Sequence, residues 1–373
     1  MTIYILSYIF LYLFSNIQKH FSNNLFNYFL YIFAFFLVVL SGLRFEVGGD
    51  FNAYFKLFYT LKTRDSFEQA ITTSGADILY NIINLVVAKI GFNYASVNFV
   101  CASIFVICLI NYIKIQKDPI LALMIAFPYL IIVVSMGYVR QACAIGLFFY
   151  ALTFLFEKKI YKTFIILIIA SFFHKTALIL MPLVYVSINI RNIKILFGTF
   201  FLSIILFFLL FYENFFGLSS TYVTNPVMES PGVFYRSGLN LFSALVFLIF
   251  YKKIVQIDKT IFILYLNLSL GSILVFILQF YSSTFADRIG LYLFPLQLYI
   301  FVQISYFFTN HKTRYLINNA IKIFYLILLI GWLNFANHAY LWTPYKNLIS
   351  IQNYTDYSFI KVRRENIKNE YYF

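Results

Sequence analysis

The sequence predicts an all-α polytopic membrane protein: a bundle of about 11 to 13 hydrophobic helices with long loops and a re-entrant segment on the outer face. Three observations carry this. Of 373 residues, 62% are hydrophobic and only 11% charged, less than half the roughly 25% charge of a soluble domain. Mean hydropathy is +0.82 over the whole chain, an excess too large for one anchor on a water-soluble enzyme. Lys plus Arg number 28 against 14 Asp plus Glu, a net charge of +14. In a membrane protein that bias reports loops held on the cytoplasmic face, and a nucleic-acid partner is not expected.

A helix needs about 20 apolar residues to cross about 30 Å of hydrocarbon, so charge-free runs measure the spans. Residues 3–17 form a first span; they lack the basic flank and the A-x-A-like site of a signal peptide. Clear runs follow at 25–43, 90–113, 119–139, 195–212, 260–286, 289–310 and 323–345, with shorter ones at 141–156, 163–173, 176–190 and 237–251. No internal repeat or second domain is visible, so residues 1–345 read as one polytopic domain and 346–373 as a polar tail. Cys101, Cys108 and Cys143 sit in apolar runs without C-x-x-C or Cys/His spacing. They read as small hydrophobes, with no disulfide, metal or cofactor implied.

The basic residues divide between the two ends of these runs. Lys19, Lys114, Lys117, Lys158, Lys159, Lys162, Arg191, Lys194, Lys252, Lys253, Lys259, Lys312 and Arg314 occupy short connections, as the positive-inside rule expects of cytoplasmic loops. The opposite ends carry mostly single arginines, Arg44, Arg140, Arg236 and Arg288, with His174 and Lys175. The long connections 44–75 and 213–236 fall on this outer side, as does the tail despite its basic residues. Parity then requires the stretch 77–90 to start and end outside, as a re-entrant or interfacial segment favoured by Asn81, Asn84 and Lys89, or else a partner span near 51–61.

Five stretches on the outer side can carry chemistry. In Arg44-Phe-Glu-Val-Gly-Gly-Asp50-Phe-Asn-Ala-Tyr54, Arg44 ends a span, Gly48 and Gly49 permit a tight turn, and Asp50 can accept a proton. Arg44 can alternatively be an interfacial arginine neutralised by Glu46 or Asp50. Arg140-Gln141 follows a long uncharged run with no acid beside it in sequence, so the pair projects into the bundle or caps an outer turn. His174, in Phe173-His174-Lys175-Thr176-Ala177, carries an imidazole that can both donate and accept. Asp287-Arg288, with Tyr292, puts two opposite charges about 100° apart if helical, leaving Arg288 open, and Arg236 closes the second long loop. Trp342-Thr343-Pro344-Tyr345 is explained by an aromatic belt and a proline stop. Several arginines on one face suggest a cavity for a multiply charged anion, since the guanidinium grips phosphate by two hydrogen bonds.

The order of these motifs resembles the EpsG family of Wzy-type bacterial polysaccharide polymerases. The matching residues are Leu43-Arg44-Phe45 with Gly48, Asp50 and Tyr54; Tyr138-Val139-Arg140-Gln141 with Ala144; Phe173-His174-Lys175-Thr176-Ala177-Leu178 with Pro182; Asp287-Arg288 with Tyr292; and Trp342-Thr343-Pro344-Tyr345. Departures are Gly49, where a small hydroxyl residue is frequent, and Lys175-Thr176, where a serine often follows the histidine. The resemblance implies a multi-pass enzyme of the bacterial inner membrane that joins oligosaccharide units carried on undecaprenyl diphosphate into O-antigen, capsule or exopolysaccharide. Its partners are then that lipid-linked glycan, membrane lipid and a chain-length regulator protein. Arg44, Arg140, Gln141, Arg236, Arg288, Tyr54 and Tyr345 are the expected substrate contacts, and Asp50, then His174, the candidate bases. A lipid-linked glycan flippase and a membrane O-acyltransferase are the alternatives. The first should tend to show repeated halves and polar residues near the midplane, and the second has no evident use for an arginine set.

Overall fold

The computed structural model describes residues 1–63, 77–188, 230, 232–254, 256 and 258–348. The predicted span at 195–212, the basic pair Arg191 and Lys194, and the tail from 349 onward lie outside the described residues. Among the described residues all regular structure is helical. The helices are α1 (Thr2–Ile17), α2 (Asn23–Gly42), α3 (Phe51–Lys62), α4 (Ile78–Lys89), α5 (Tyr94–Lys114), α6 (Pro119–Gly137), α7 (Val139–Phe156), α8 (Ile160–Phe173), α9 (Lys175–Ile188), α10 (Val233–Ile249), α11 (Lys259–Leu278), α12 (Ser283–Tyr306) and α13 (His311–Phe335). Helices α2, α5, α6, α7, α11, α12 and α13 are long and apolar enough to cross a membrane.

Helix starts at one end of the bundle are set by polar caps. The side chains of Ser22, Asp118, Asp258 and Asn310 accept backbone N–H bonds from the first turns of α2, α6, α11 and α13, and Pro119 occupies a first-turn position where no N–H is needed. This is the lysine end. There Lys114 Nζ donates to Tyr31 Oη at 2.9 Å, Lys253 Nζ to the Phe307 carbonyl at 2.9 Å, and Tyr306 Oη to the Lys117 carbonyl at 3.2 Å. The chain then alternates, so Arg140, His174, Arg236 and Arg288 lie at the far end. The separation of lysines from single arginines read from the sequence is therefore a separation in space.

Helix α6 forms the axis, with 94% of its spanning window buried. Its middle, Phe127–Val134, is wound as a π-helix. Pro128 has no N–H to contribute there, and further along the same stretch the Ile132 carbonyl accepts a 2.9 Å bond from Trp342 Nε1. Helix α5 packs between α2 and α7 through two glycines. A Cβ on Gly42 would meet the Phe99 backbone at 2.7 Å, and one on Gly146 the Phe105 backbone at 2.9 Å. In lipid, where apolar side chains gain little by leaving the solvent, such close backbone approach supplies the packing energy. Lys322, buried in α13, donates to Ser15 Oγ at 2.8 Å and stands over the Tyr12 ring, so its charge is hydrogen-bonded inside the bundle.

The structure corrects several boundaries. The run at 260–286 breaks after Leu278, and Asp287 and Arg288 lie in the first turns of α12. Helix α13 begins at His311, so Lys312 and Arg314 form its first turn. The parity problem is met by two helices rather than one, because α3 and α4 are 12 residues each, about 18 Å at 1.5 Å per residue, too short to cross. Tyr54 packs on Tyr80 near both N-termini, and Leu57 and Leu61 meet Leu85 further on, so the pair runs in parallel. Helices α2 and α5 stay antiparallel, with Gly42 beside Phe99 and Tyr31 beside Lys114. Near the end of the described residues, Phe45 N–H donates to the Lys346 carbonyl at 3.0 Å and Leu348 N–H to that of Leu43 at 2.9 Å, a short antiparallel pairing.

Gly42→Ala and Gly146→Ala are each expected to destabilise the protein by about 1–3 kcal/mol, the usual cost of forcing atoms into a packed interior. Gly331, whose Cβ position is open, is the control. Thermal unfolding in detergent checks this: the first two variants melt earlier and Gly331→Ala does not.

Candidate functional site at the arginine end

The site begins with the turn after α2. Arg44 is 1% exposed, and its guanidinium donates to the carbonyl of Ser41, to the carbonyl of Val47 at 3.1 Å and to Asn98 Oδ1 at 3.2 Å. Burial holds its pKa below the ordinary value, with nearby Tyr94 and Tyr80 acting in the opposite direction. Neither Glu46 nor Asp50 neutralises Arg44; Glu46 pairs with Lys346 at 3.0 Å. Arg44, an expected anion contact, thus turns Nε, Nη1 and Nη2 to backbone and amide oxygens and holds the turn that presents Asp50. Gly48 has φ +105° and sits where a Cβ would strike the Met136 carbonyl, so glycine is required there. Trp342 lies against Gly137 and Gly49, is 4% exposed, and belongs to the packing around α6 rather than to an aromatic belt. Tyr345, also expected to meet substrate, donates its hydroxyl to the Leu40 carbonyl at 2.9 Å and packs edge-on against Tyr4. It anchors the segment that closes over the Arg44 turn.

The other candidates converge. Arg140, at the start of α7, donates from Nη1 to Asp77 Oδ2 at 3.1 Å, and its guanidinium stands 5.4 Å from the Tyr54 ring centre while Nε reaches Tyr54 Oη at 3.4 Å. The same Asp77 oxygen lies 3.1 Å from His174 Nδ1, and Asp77 Oδ1 accepts the Lys175 N–H at 3.2 Å. Asp77 was read only as the start of a run; sequence reasoning missed it because its partners are 63 and 97 residues away. An acid opening an otherwise apolar segment was the available signal. Burial raises the pKa of the Tyr54 phenol and Arg140 works against that rise. Thr176 and Tyr292 hydroxyls, 3.0 Å apart, tie the histidine segment to α12.

On α12, Arg288 is joined to Gln141 twice. Gln141 Nε2 donates to the Arg288 carbonyl at 2.7 Å, and Arg288 Nη1 donates to Gln141 Oε1 at 3.3 Å. The guanidinium lies 4.6 Å from the Tyr138 ring centre, and among the described residues Arg288 has no ion pair within 4.0 Å. Its neighbour Asp287 points elsewhere, to Arg236 Nε at 2.6 Å and Ser230 Oγ at 3.0 Å, as the 100° offset along a helix allows. Arg236 also stands over the Tyr129 ring at 5.6 Å. Asp50 is close enough to act by its charge on Arg288, Tyr54 and Tyr138. Arg140 and Arg236 keep 28% and 23% of their side-chain surface open, unlike Arg44.

This end of the bundle therefore combines three guanidinium groups from α7, α10 and α12 with two carboxylates paired to them, one further carboxylate and one imidazole. Forked donors backed by tyrosine faces suit a multiply charged oxyanion, and the acids and imidazole suit proton transfer. Among the described residues no cluster of His, Cys, Asp and Glu has the makings of a metal site. Arg44→Lys is expected to leave at least one buried oxygen unpaired, a loss of about 1–3 kcal/mol, and so to lower the melting midpoint in detergent, whereas Arg288→Lys leaves it unchanged. The reverse order would return Arg44 to the anion-binding set.

Comparison with known proteins adds one result. Neither curated proteins nor solved structures give a match. The model of the EpsG family matches residues 27–347, from the first turns of α2 to the segment that closes over the Arg44 turn. With that match covering most of an all-helical membrane bundle, the chain belongs to the EpsG family, whose members are Wzy-like polysaccharide polymerases.

Proposed function

We propose that this protein is a glycosyltransferase of the bacterial inner membrane that joins oligosaccharide repeat units carried on undecaprenyl diphosphate, at the outer face. The observation that carries this reading is the convergence of Arg140, Arg236 and Arg288 at the end opposite the lysines. Lysine-rich loops favour the cytoplasmic side, which supports an outward-facing arginine end.

The chemistry follows from the groups present. A sugar hydroxyl of one lipid-linked glycan attacks the anomeric carbon of another; its O–H bond breaks, a C–O bond forms, and the C–O bond to the diphosphate breaks. The electron pair leaves on the diphosphate, whose growing charge meets Arg288, Arg140 and Arg236, the kind of electrostatic stabilisation that is commonly the largest catalytic term. The hydroxyl proton passes to a base, for which Asp50 and His174 are the two groups at hand. Both substrates keep their lipid anchors in one membrane plane, so the reacting ends meet at a fixed depth.

Arg288→Ala is the direct test, because it removes a cation without orphaning a buried acid. In a deletion strain complemented with this variant at wild-type protein level, long surface glycan should fall about 100-fold or more, with single units on lipid accumulating at the outer leaflet. Lipid-linked units trapped at the inner leaflet of the deletion strain would support a flippase instead. Unchanged full-length polymer in Arg288→Ala would sink the role given to that arginine.

A further inference from the structure

We propose that Asp77 is the positioning residue of a carboxylate–imidazole pair that makes His174, through Nε2, the base for the acceptor hydroxyl; this rests on the glycosyl-transfer reading above. Asp77 stands at the N-terminal cap position of α4, where an aspartate ordinarily bonds the amides of its own first turn. Here the side chain makes no such bond. Both oxygens turn away to α7 and the α8–α9 junction, Oδ2 to Arg140 and His174 and Oδ1 to the Lys175 amide.

The backbone that carries the imidazole is itself fixed. His174 is extended, at φ −158° and ψ 117°, between two helices; its N–H donates to the Ala170 carbonyl at 3.0 Å and its carbonyl accepts the Ala177 N–H at 2.9 Å. One carboxylate thus grips the ring and the next peptide together, setting where the ring sits and how it is rotated. An ionised carboxylate only accepts, so Nδ1 must donate. In the neutral imidazole the single proton then resides on Nδ1 and the lone pair on Nε2. Among the described residues no hydrogen bond reaches Nε2, and the side chain is 19% exposed.

Around this pair stand Arg140 and Tyr54 behind the carboxylate, Lys175 on the same segment, and Tyr292 bonded to Thr176. Arg140 shares the oxygen that holds the ring, so the group that orients the base is tied to a guanidinium expected to meet the diphosphate. In the transfer step the acceptor O–H proton moves to Nε2 and the oxygen bonds to the anomeric carbon. The imidazolium so formed faces the Asp77 carboxylate. The proton afterwards returns to solvent, and the diphosphate departs with the bonding electron pair.

The test uses the full-length protein in proteoliposomes with lipid-linked oligosaccharide, together with nitrogen NMR of histidine-labelled protein. The chain has 4 histidines, and the His174 signals are those lost in His174→Gln. Wild type should show Nδ1 protonated and Nε2 bare. Asp77→Asn should lose that tautomer and drop kcat about 100-fold or more, with KM for the lipid-linked glycan within about threefold, while Asp77→Glu recovers part of the rate. The double variant Asp77→Asn with Arg140→Gln removes the unpaired arginine and reads the tautomer even if the single variant fails to fold. A wild-type ring protonated at Nε2, or Asp77→Asn retaining kcat within about threefold, overturns the positioning role. His174→Gln with full transfer activity also overturns it by removing His174 as base, leaving the glycosyl-transfer reading standing. Failure of the wild type to transfer sugar at all sinks the parent reading and the base role with it, while the tautomer, measured without turnover, separately decides whether Asp77 sets the imidazole.

Discussion

Arginines gathered at the edge of an apolar bundle repel one another and lose hydration, and the architecture of this protein depends on compensating them. An unpaired charge near hydrocarbon costs several kcal/mol, about 3 on insertion scales. Each guanidinium here is met by a different device: carboxylates for Arg140 and Arg236, an amide and an aromatic face for Arg288, backbone carbonyls for Arg44. The acids come from far along the chain, Asp77 at the start of a short helix and Asp287 on α12. Connectivity at this end is therefore constrained by charge as much as by helix packing, and the α3–α4 excursion delivers Asp77 to where α7 begins and α8 ends.

A second set of contacts keeps that end rigid. Gly42 and Gly146 let α2 and α7 approach α5 at backbone distance, which fixes where Arg44 and Arg140 leave their helices. The Arg44 turn is then closed from the C-terminal side, where Trp342 bonds the π-helical part of α6 and Lys346 pairs with Glu46. Without a Cβ at Gly48 the turn can lie on the Met136 carbonyl, bringing Asp50 beside the element that ends in Tyr138. A precise site in a membrane bundle needs such supports, because loops alone do not hold side chains to the tolerance that proton transfer demands.

How much of this could be read from residues alone divides along physical lines. The all-helical polytopic class and the two chemically different ends were legible, since hydrophobic length and charge placement are one-dimensional signals. Arg140-Gln141, His174 and Arg288 were legible as candidates because each is a polar interruption in apolar sequence. Partnership was not. Asp77 looked like a helix start, Arg140 looked unpaired, and Arg44 looked like a ligand, because which oxygen fills a guanidinium is decided by contacts between residues far apart in the chain. Trp342 suffered the same fate: an aromatic at a span end suits a belt, and only the glycine beside it in space shows that it is packed inside.

The remaining asymmetry among the arginines bears on how the site works. Arg140 and Arg236 each have an acid within 3.1 Å, whereas among the described residues Arg288 is held by Gln141 and the Tyr138 face. A phosphate approaching Arg140 or Arg236 must share it with a carboxylate, and like-charge repulsion opposes that. One approaching Arg288 meets no directly paired acid, with Asp50 and Asp287 within electrostatic reach. An anion seated first on Arg288 would also lie against α12 and the Gln141 turn of α7, beside the histidine segment that Tyr292 ties to α12. On the proposed reading, binding and proton transfer are neighbours through shared helices, and the acids paired with Arg140 and Arg236 hold the local charge close to neutral.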